Sequence, residues 1–213
     1  MKINVDNANM RIEGGKLIID IDSDIEKLLG INKTELSKIL VGRVIKSLTD
    51  VEYIVLEHYE NGTTRVIRKE LLEDTLKFDD ECNDFRKSSI NKYLNGEYYH
   101  NEVIPGFGEN NVLDHEVDLL SLDGLDDYDK TAVKVGLLTI DDYRRYRKNC
   151  LKENMDSSWW LSTPDSTPSG YGDGYVQCVR DGGSVGYGGY GWDRGVRPDL
   201  LLKSNIFVSF TER

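Results

Sequence analysis

Apolar and polar positions alternate with a period of two in several stretches of the chain, and each such stretch predicts a strand. Met10 to Glu13 and Lys16 to Ile21 flank Gly14-Gly15, a pair able to supply two positive φ angles, so Met10 to Ile21 reads as a β-hairpin. Val51 to Tyr59 and Thr63 to Arg68 flank Asn61-Gly62, the strongest short-range hairpin signal in the chain. Elsewhere the spacing is helical. Ser23 with Glu26, and Asn32 with Glu35, have capping-box spacing ahead of apolar residues, and each predicts a short helix. Ser88 opens a helix that ends near Gly96, with Ile90, Tyr93 and Leu94 on its buried face. Thr139 caps another, with Asp141 and Asp142 at its positive end, running through Tyr143 and Tyr146 to about Leu151 and carrying its arginines into water.

The stretch from Trp159 to Pro198 differs in kind, since it holds ten of the twenty glycines. Disordered segments are poor in aromatic and β-branched residues. This one interleaves Trp159, Trp160, Tyr171, Tyr175, Tyr187, Tyr190 and Trp192 with Val176, Val179, Val185 and Val196, as short strands joined by glycine turns would. It reads as folded and loop-rich.

The 213 residues suffice for one large domain with a small appendage, and together the elements read as an α+β fold. Residues 1–45, a ribbon with short helices, are too small to bury their apolar faces alone. They either pack on the main domain, residues 46–213, or mediate self-association, and homo-oligomerisation is the favoured expectation. No apolar run approaches the roughly 18 residues of a membrane span, so no membrane partner is expected. The start, Met1-Lys2-Ile3-Asn4-Val5-Asp6, lacks the apolar core of a signal peptide, which points to a cytoplasmic or virion-associated protein.

Charge narrows the partners. With 27 Lys and Arg against 38 Asp and Glu, the net charge of −11 repels phosphate backbones and disfavours direct nucleic-acid binding. Between Asp114 and Asp129 there are seven carboxylates and no Lys or Arg. This run is a solvated acidic loop, a nucleic-acid mimic or docking surface for a basic protein (Asp123, Asp126, Asp127 and Asp129), or a metal-binding loop. The Asp20-x-Asp22-x-Asp24 spacing resembles the start of a calcium loop, but Ile25 and Ile31 stand where such a loop needs glycine and glutamate. Neither metal nor cofactor is therefore expected. Cys82, Cys150 and Cys178 are odd in number and far apart, the pattern of reduced thiols rather than of disulfides or a zinc site.

Three motifs follow one another in order: Trp159-Trp160-Leu161-Ser162-Thr163-Pro164, then Tyr175-Val176-Gln177-Cys178-Val179-Arg180-Asp181-Gly182, then Gly195-Val196-Arg197-Pro198-Asp199-Leu200. They resemble an uncharacterised bacterial and phage domain family marked by WWLRSPG, a strand ending in DG, and GVRPAL. The similarity extends upstream through Asn83 to Tyr99 and Val135 to Thr139, and so covers roughly residues 45 to 210. Ser162 departs from the family's usual Arg and Asp199 from its usual Ala, which puts loop details in doubt at both places. The resemblance implies a C-type-lectin-like architecture, similar to the formylglycine-generating-enzyme fold and to phage receptor-binding and retroelement-diversified proteins. It implies no established activity.

Within such a fold Trp159, Trp160, Arg197 and Pro198 read as scaffold: the tryptophans as large buried surfaces, Arg197 as a donor to buried carbonyls or a carboxylate. Thr167 to Gly174 and Gly186 to Arg194 are where variable loops would be displayed. There Tyr171, Tyr175, Tyr187, Tyr190, Trp192, Asp193 and Arg194 join rigid aromatic area to small spacers, the composition of antibody-like paratopes. Plain surface loops with strand-edge tyrosines are the alternative.

An oxidase of the formylglycine-generating type needs a reactive cysteine pair, yet Cys178 lies in a predicted strand twenty-eight residues from Cys150. No local signature joins any cysteine to His58, His100 or His115, and no P-loop, GxSxG, HExxH or dinucleotide fingerprint occurs. The expectation is a non-enzymatic module of a phage or mobile element that binds a protein or glycan through its aromatic loops. The alternatives are a phage-encoded intracellular inhibitor of a host defence complex acting through the acidic surface, and, third, an enzyme of the formylglycine-generating type.

Overall fold

The computed structural model describes residues 9–13, 16–20 and 33–210. In the N-terminal ribbon, β1 (Asn9–Glu13) pairs antiparallel with β2 (Lys16–Asp20), Glu13 opposite Lys16. That is the register a two-residue connection imposes. The Gly14-Gly15 turn itself, the Ser23 and Glu26 capping box, and Asp22 and Asp24 lie outside the described residues.

The remainder is a mixed α+β structure built on a curled half-barrel of eight antiparallel strands. These are β3 (Lys33–Glu35), β4 (Val44–Lys46), β5 (Glu52–Tyr59), β6 (Thr63–Arg68), β7 (Val112–Leu113), β10 (Val135–Gly136), β14 (Asp199–Lys203) and β15 (Phe207–Phe210). The order across the sheet is β10-β14-β6-β5-β4-β15-β3, with β7 beside β10 along the same edge of β14. The predicted helix after Asn32 is replaced: Lys33–Glu35 is a strand on β15, and only a single 3₁₀ turn, Leu36–Lys38, follows. Strand pairing leaves Leu36 wholly buried, which a local capping signal does not foresee. The Asn61-Gly62 hairpin forms, with a three-residue connection between Tyr59 and Thr63 and Gly62 at φ +80°. One positive-φ glycine closing a three-residue loop is the next commonest hairpin solution after the two-residue turn.

The sheet is covered on both faces where β5 and β6 pair, since Tyr53 to Leu56 and Val66-Ile67 are apolar and buried at consecutive positions. Tyr53, Val55 and Val66 face a helix that crosses one side; Ile54, Leu56 and Ile67 face the other. The crossing helix starts as α1 (Ser89–Tyr93), with the Ser88 hydroxyl accepting from Asn91 N–H, and does not stop at Gly96. It continues as a π-helical stretch, Leu94–Val103, into α2 (Ile104–Phe107) and ends at Gly108, φ +81°. Leu94 and Val103 are both buried although nine residues make about two and a half α-helical turns, which would set them on opposite faces. The wider winding brings them to one side. On the other face α3 (Ile140–Arg147) has the expected Thr139 cap, which Asp142 completes as a capping box, ends at Arg147 rather than near Leu151, and buries Tyr143 and Tyr146.

Two smaller antiparallel sheets complete the described structure: β8 (His115–Asp118) with β9 (Lys130–Val133), and β11 (Trp159–Pro164), β12 (Tyr175–Val179) and β13 (Val185–Gly189) in that order. Alternation along β11 sends the two adjacent tryptophans to opposite sides. Trp160 joins the core under the α1 side and Trp159 the core under α3. Ser162 and Asp199, the two departures from the family's motifs, are both buried within strands. Gly195 to Pro198 is stitched between them: Trp160 N–H donates to Gly195 O at 3.0 Å, Leu72 N–H to Val196 O at 2.9 Å and Arg68 N–H to Pro198 O at 2.8 Å. No helix among the described residues is long and apolar enough to cross a membrane.

Candidate functional site

The aromatic residues singled out in the sequence divide by position. Tyr175 opens β12 and Tyr187 lies in the middle of β13, so both stand on strands rather than loops. Gln177 faces Tyr187 in the register, which makes Tyr175 and Tyr187 diagonal neighbours on one face, with ring centroids 5.3 Å apart in an edge-to-face pair. Tyr175 is 47% exposed, Tyr187 54% and Trp192 57%. Tyr171 is 98% exposed at the tip of its loop, and Asp193 is exposed as well.

Tyr190 instead packs half-buried on the core, its carbonyl accepting from Phe78 N–H and Asp79 N–H. Arg194 turns inward and lies 5.2 Å from the Trp160 ring and 5.7 Å from the Trp192 ring. Gly188 makes the space: a Cβ there would stand 2.5 Å from Arg194 Nε. Gly189 does the same for Trp192, whose indole nitrogen would come within 3.2 Å of an added Cβ. The glycines of β13 are therefore seats for side chains lying across the strand.

A second group of contacts holds the Tyr171 loop rigid. Asn83, wholly buried, donates from Nδ2 to Ser166 O and Tyr175 O, both at 2.8 Å, and accepts from Tyr128 Oη at 2.7 Å. Asp165 N–H donates to Tyr175 O at 3.0 Å and closes the loop at its base. The acidic segment supplies the remaining clamps. Asp123 accepts from Ser121 Oγ at 2.5 Å and Ser166 Oγ at 2.7 Å; Asp127 accepts from Ser169 Oγ at 2.7 Å and Ser169 N–H at 3.0 Å. These hydrogen bonds, from Ser121 on Asp123 and Ser169 on Asp127, hold both carboxyls below the usual carboxylate range. Asp126 and Asp129 stay exposed, and Asp129 takes φ +53° in the turn.

The two segments read separately from the sequence are thus one unit, with the acidic loop buttressing the tyrosine loop. Gly170 permits the contact, since a Cβ there would meet Leu125 Cδ1 and Ser166 Oγ at 2.5 Å. Asn83, Tyr128 and Ser166 escaped the sequence reading. An asparagine followed by Asp-Phe-Arg has no periodicity signal, and its partners lie between 45 and 92 residues away.

Beneath β10 lies a buried charge cluster. Asp199 Oδ2 accepts from Arg65 Nε at 2.7 Å, and Arg65 Nη1 reaches Asp142 Oδ1 at 2.9 Å. His115 Nε2 is 3.3 Å from Asp199 Oδ2, an electrostatic contact rather than an aligned hydrogen bond. The other histidines bind elsewhere, His58 to Thr64 Oγ1 and Ile39 O, and His100 to Gly96 O. Cys82 Sγ points to Asp79, Cys150 Sγ to Leu56 O, and Cys178 is wholly buried. Burial pushes all three thiols up, away from the reactive thiolate. Among the described residues no group of three or more His, Cys, Asp or Glu side chains is placed to hold a metal ion.

Comparison of the chain with protein-family models, curated proteins and solved structures finds no match.

Proposed function

We propose that the chain is a non-enzymatic binding module whose ligand, a protein or a glycan, is taken by the face of Tyr175, Tyr187 and Trp192, with Tyr171 and Asp193 beside it. The observation that carries this reading is a set of exposed aromatic rings seated on a strand and clamped loop rather than on loose chain. Rings this exposed gain little from folding and leave apolar area for a ligand to cover, and a fixed seat lowers the entropy lost when it does. The resemblance to the bacterial and phage family belongs to the same proposal, with its C-type-lectin-like reading of the fold and a phage or mobile-element setting. It is supported by the strand-like, glycine-seated construction of the segment that carries the motifs.

The test is a glycan array and a panel of bacterial cell-surface fractions probed with the full chain and two variants. Tyr175→Ala/Tyr187→Ala/Trp192→Ala is expected to lose binding while its melting temperature stays near that of the parent. Asp126→Lys/Asp129→Lys is expected to keep it. Loss confined to the charge-reversed chain would instead favour the acidic-surface inhibitor.

A further inference from the structure

Arg197 is 2% exposed and forms no close ion pair among the described residues, with Glu70 and Glu153 acting on it only from a distance. Its Nε donates to Arg68 O at 2.9 Å and its Nη2 to Lys69 O at 2.7 Å, while the guanidinium lies 5.5 Å from the Trp159 ring centre. Those carbonyls fix the orientation of the fork, and no carboxylate is hydrogen-bonded to it. Nη1 has no hydrogen-bond partner among the described residues. Burial drags the guanidinium down to about 10, outweighing the pull of Glu70 and Glu153 in the other direction. In the neighbouring cluster Arg65, equally buried, has two carboxylates. The contrast is internal to this molecule.

Arg197 borders a surface cavity of about 350 Å³ between the turn at Val41 to Val44, the start of β5 and the segment that follows α3. Arg43 and Lys152 line it and have no ion-pair partner among the described residues. Glu52, also in the wall, is engaged by Lys69 at 2.7 Å and Lys46 at 3.8 Å. The remaining wall includes Val44, Ile54, Leu151 and Met155. Its wall carries four cations, Arg43, Lys69, Lys152 and Arg197, against two carboxylates, Glu52 and Glu153, an excess of positive charge on a chain of net charge −11, and its size falls within the range of small-molecule sites.

We propose that this cavity binds a small organic anion, its carboxylate or phosphate head meeting the Arg197 guanidinium between Arg43 and Lys152 and its apolar part resting on Ile54 and Met155. A planar guanidinium with a free edge suits either oxyanion. None of the aromatic-face residues lines the cavity, so the proposal stands independently of the function proposed above.

The experiment titrates the full chain with hexanoate and with inorganic phosphate by isothermal calorimetry, at ionic strength held constant with sodium chloride. Saturable millimolar binding of either anion is expected, with a melting temperature that climbs with ligand concentration. Hexanoate binding alone would identify a carboxylate site and phosphate binding alone a phosphate site, and each supports the proposal. Arg43→Glu/Lys152→Glu should weaken that binding at least tenfold without lowering the melting temperature of the free protein. This variant avoids the folding risk of Arg197→Gln. Tyr187→Ala/Trp192→Ala should bind the anion as the parent does. Absence of saturable binding by both anions overturns the proposal, and so does an affinity unchanged in the charge-reversed variant.

Discussion

Asp199, wholly buried on β14, accepts a hydrogen bond from Arg65 on β6 at 2.7 Å, so that one of the sheet's central strand pairs is joined by an ion pair as well as by its backbone ladder. Burial alone would raise this carboxyl. Arg65 foremost, with His115, outweighs it and holds Asp199 far below the usual carboxylate range. Because the folded-state value is depressed, the contribution of this group is present above the unfolded carboxylate value of about 3.9 and is lost as pH falls below it. Chemical denaturation followed from pH 7 to pH 3 should therefore show stability falling below about pH 4, and Asp199→Asn should flatten that fall.

Asp199→Ala leaves the buried Arg65 with Asp142 as its remaining counter-ion, so it should cost about 3 kcal/mol, the low end for breaking a buried pair. Arg65→Leu/Asp199→Ala should lose clearly less than the sum of the single changes, as measured by a double-mutant cycle. Additive losses would mean that the two groups do not act as a unit.

Asn83 is the hub of the Tyr171 loop. Asn83→Leu leaves Ser166 O and Tyr128 Oη without their partner and Tyr175 O with Asp165 N–H alone, at about 1 to 3 kcal/mol for each buried group that water cannot reach. A net loss of about 3 kcal/mol or more is expected, together with faster amide hydrogen exchange from Ser166 to Gly174 than elsewhere in the chain.

The aromatic residues should separate cleanly by role. Trp160→Ala removes a wholly buried ring that also donates to Leu76 O at 2.8 Å, and should cost about 3 to 5 kcal/mol. Tyr187→Ala removes an exposed ring whose edge-to-face partner is Tyr175, and should cost about 1 kcal/mol or less. Equal losses in thermal unfolding would contradict the division into scaffold and binding face.

Gly136→Ala tests the packing around the buried cluster. An added Cβ would stand 2.6 Å from His115 Nε2 and 3.0 Å from Asp199 Oδ1, neither of which has room to retreat, and a loss of about 1 to 3 kcal/mol is expected. Gly174→Ala, with nothing within 4 Å of the new methyl, is the control and should lie within about 0.5 kcal/mol of the parent.

What the sequence determined by itself are features written in neighbouring residues. The Asn61-Gly62 hairpin, the Thr139 cap and the strand that holds Cys178 depend on residues a few positions apart, and local pattern and turn chemistry read them correctly. The helix opened by Ser88 was legible at its start but not its end, because glycine stops a helix only when no packing compensates. Here Leu94, Tyr98 and Val103 are buried together past Gly96.

Tertiary structure decided what depends on distant partners. It set Asn83 against Ser166, folded the acidic loop under the tyrosine loop, turned Arg194 inward over Gly188, and gave Arg65 two carboxylates while setting Arg197 against backbone carbonyls. No local pattern encodes these pairings, since a charge or an amide carries the same letters whether it meets water or a buried partner. Only the fold fixes which of those it meets.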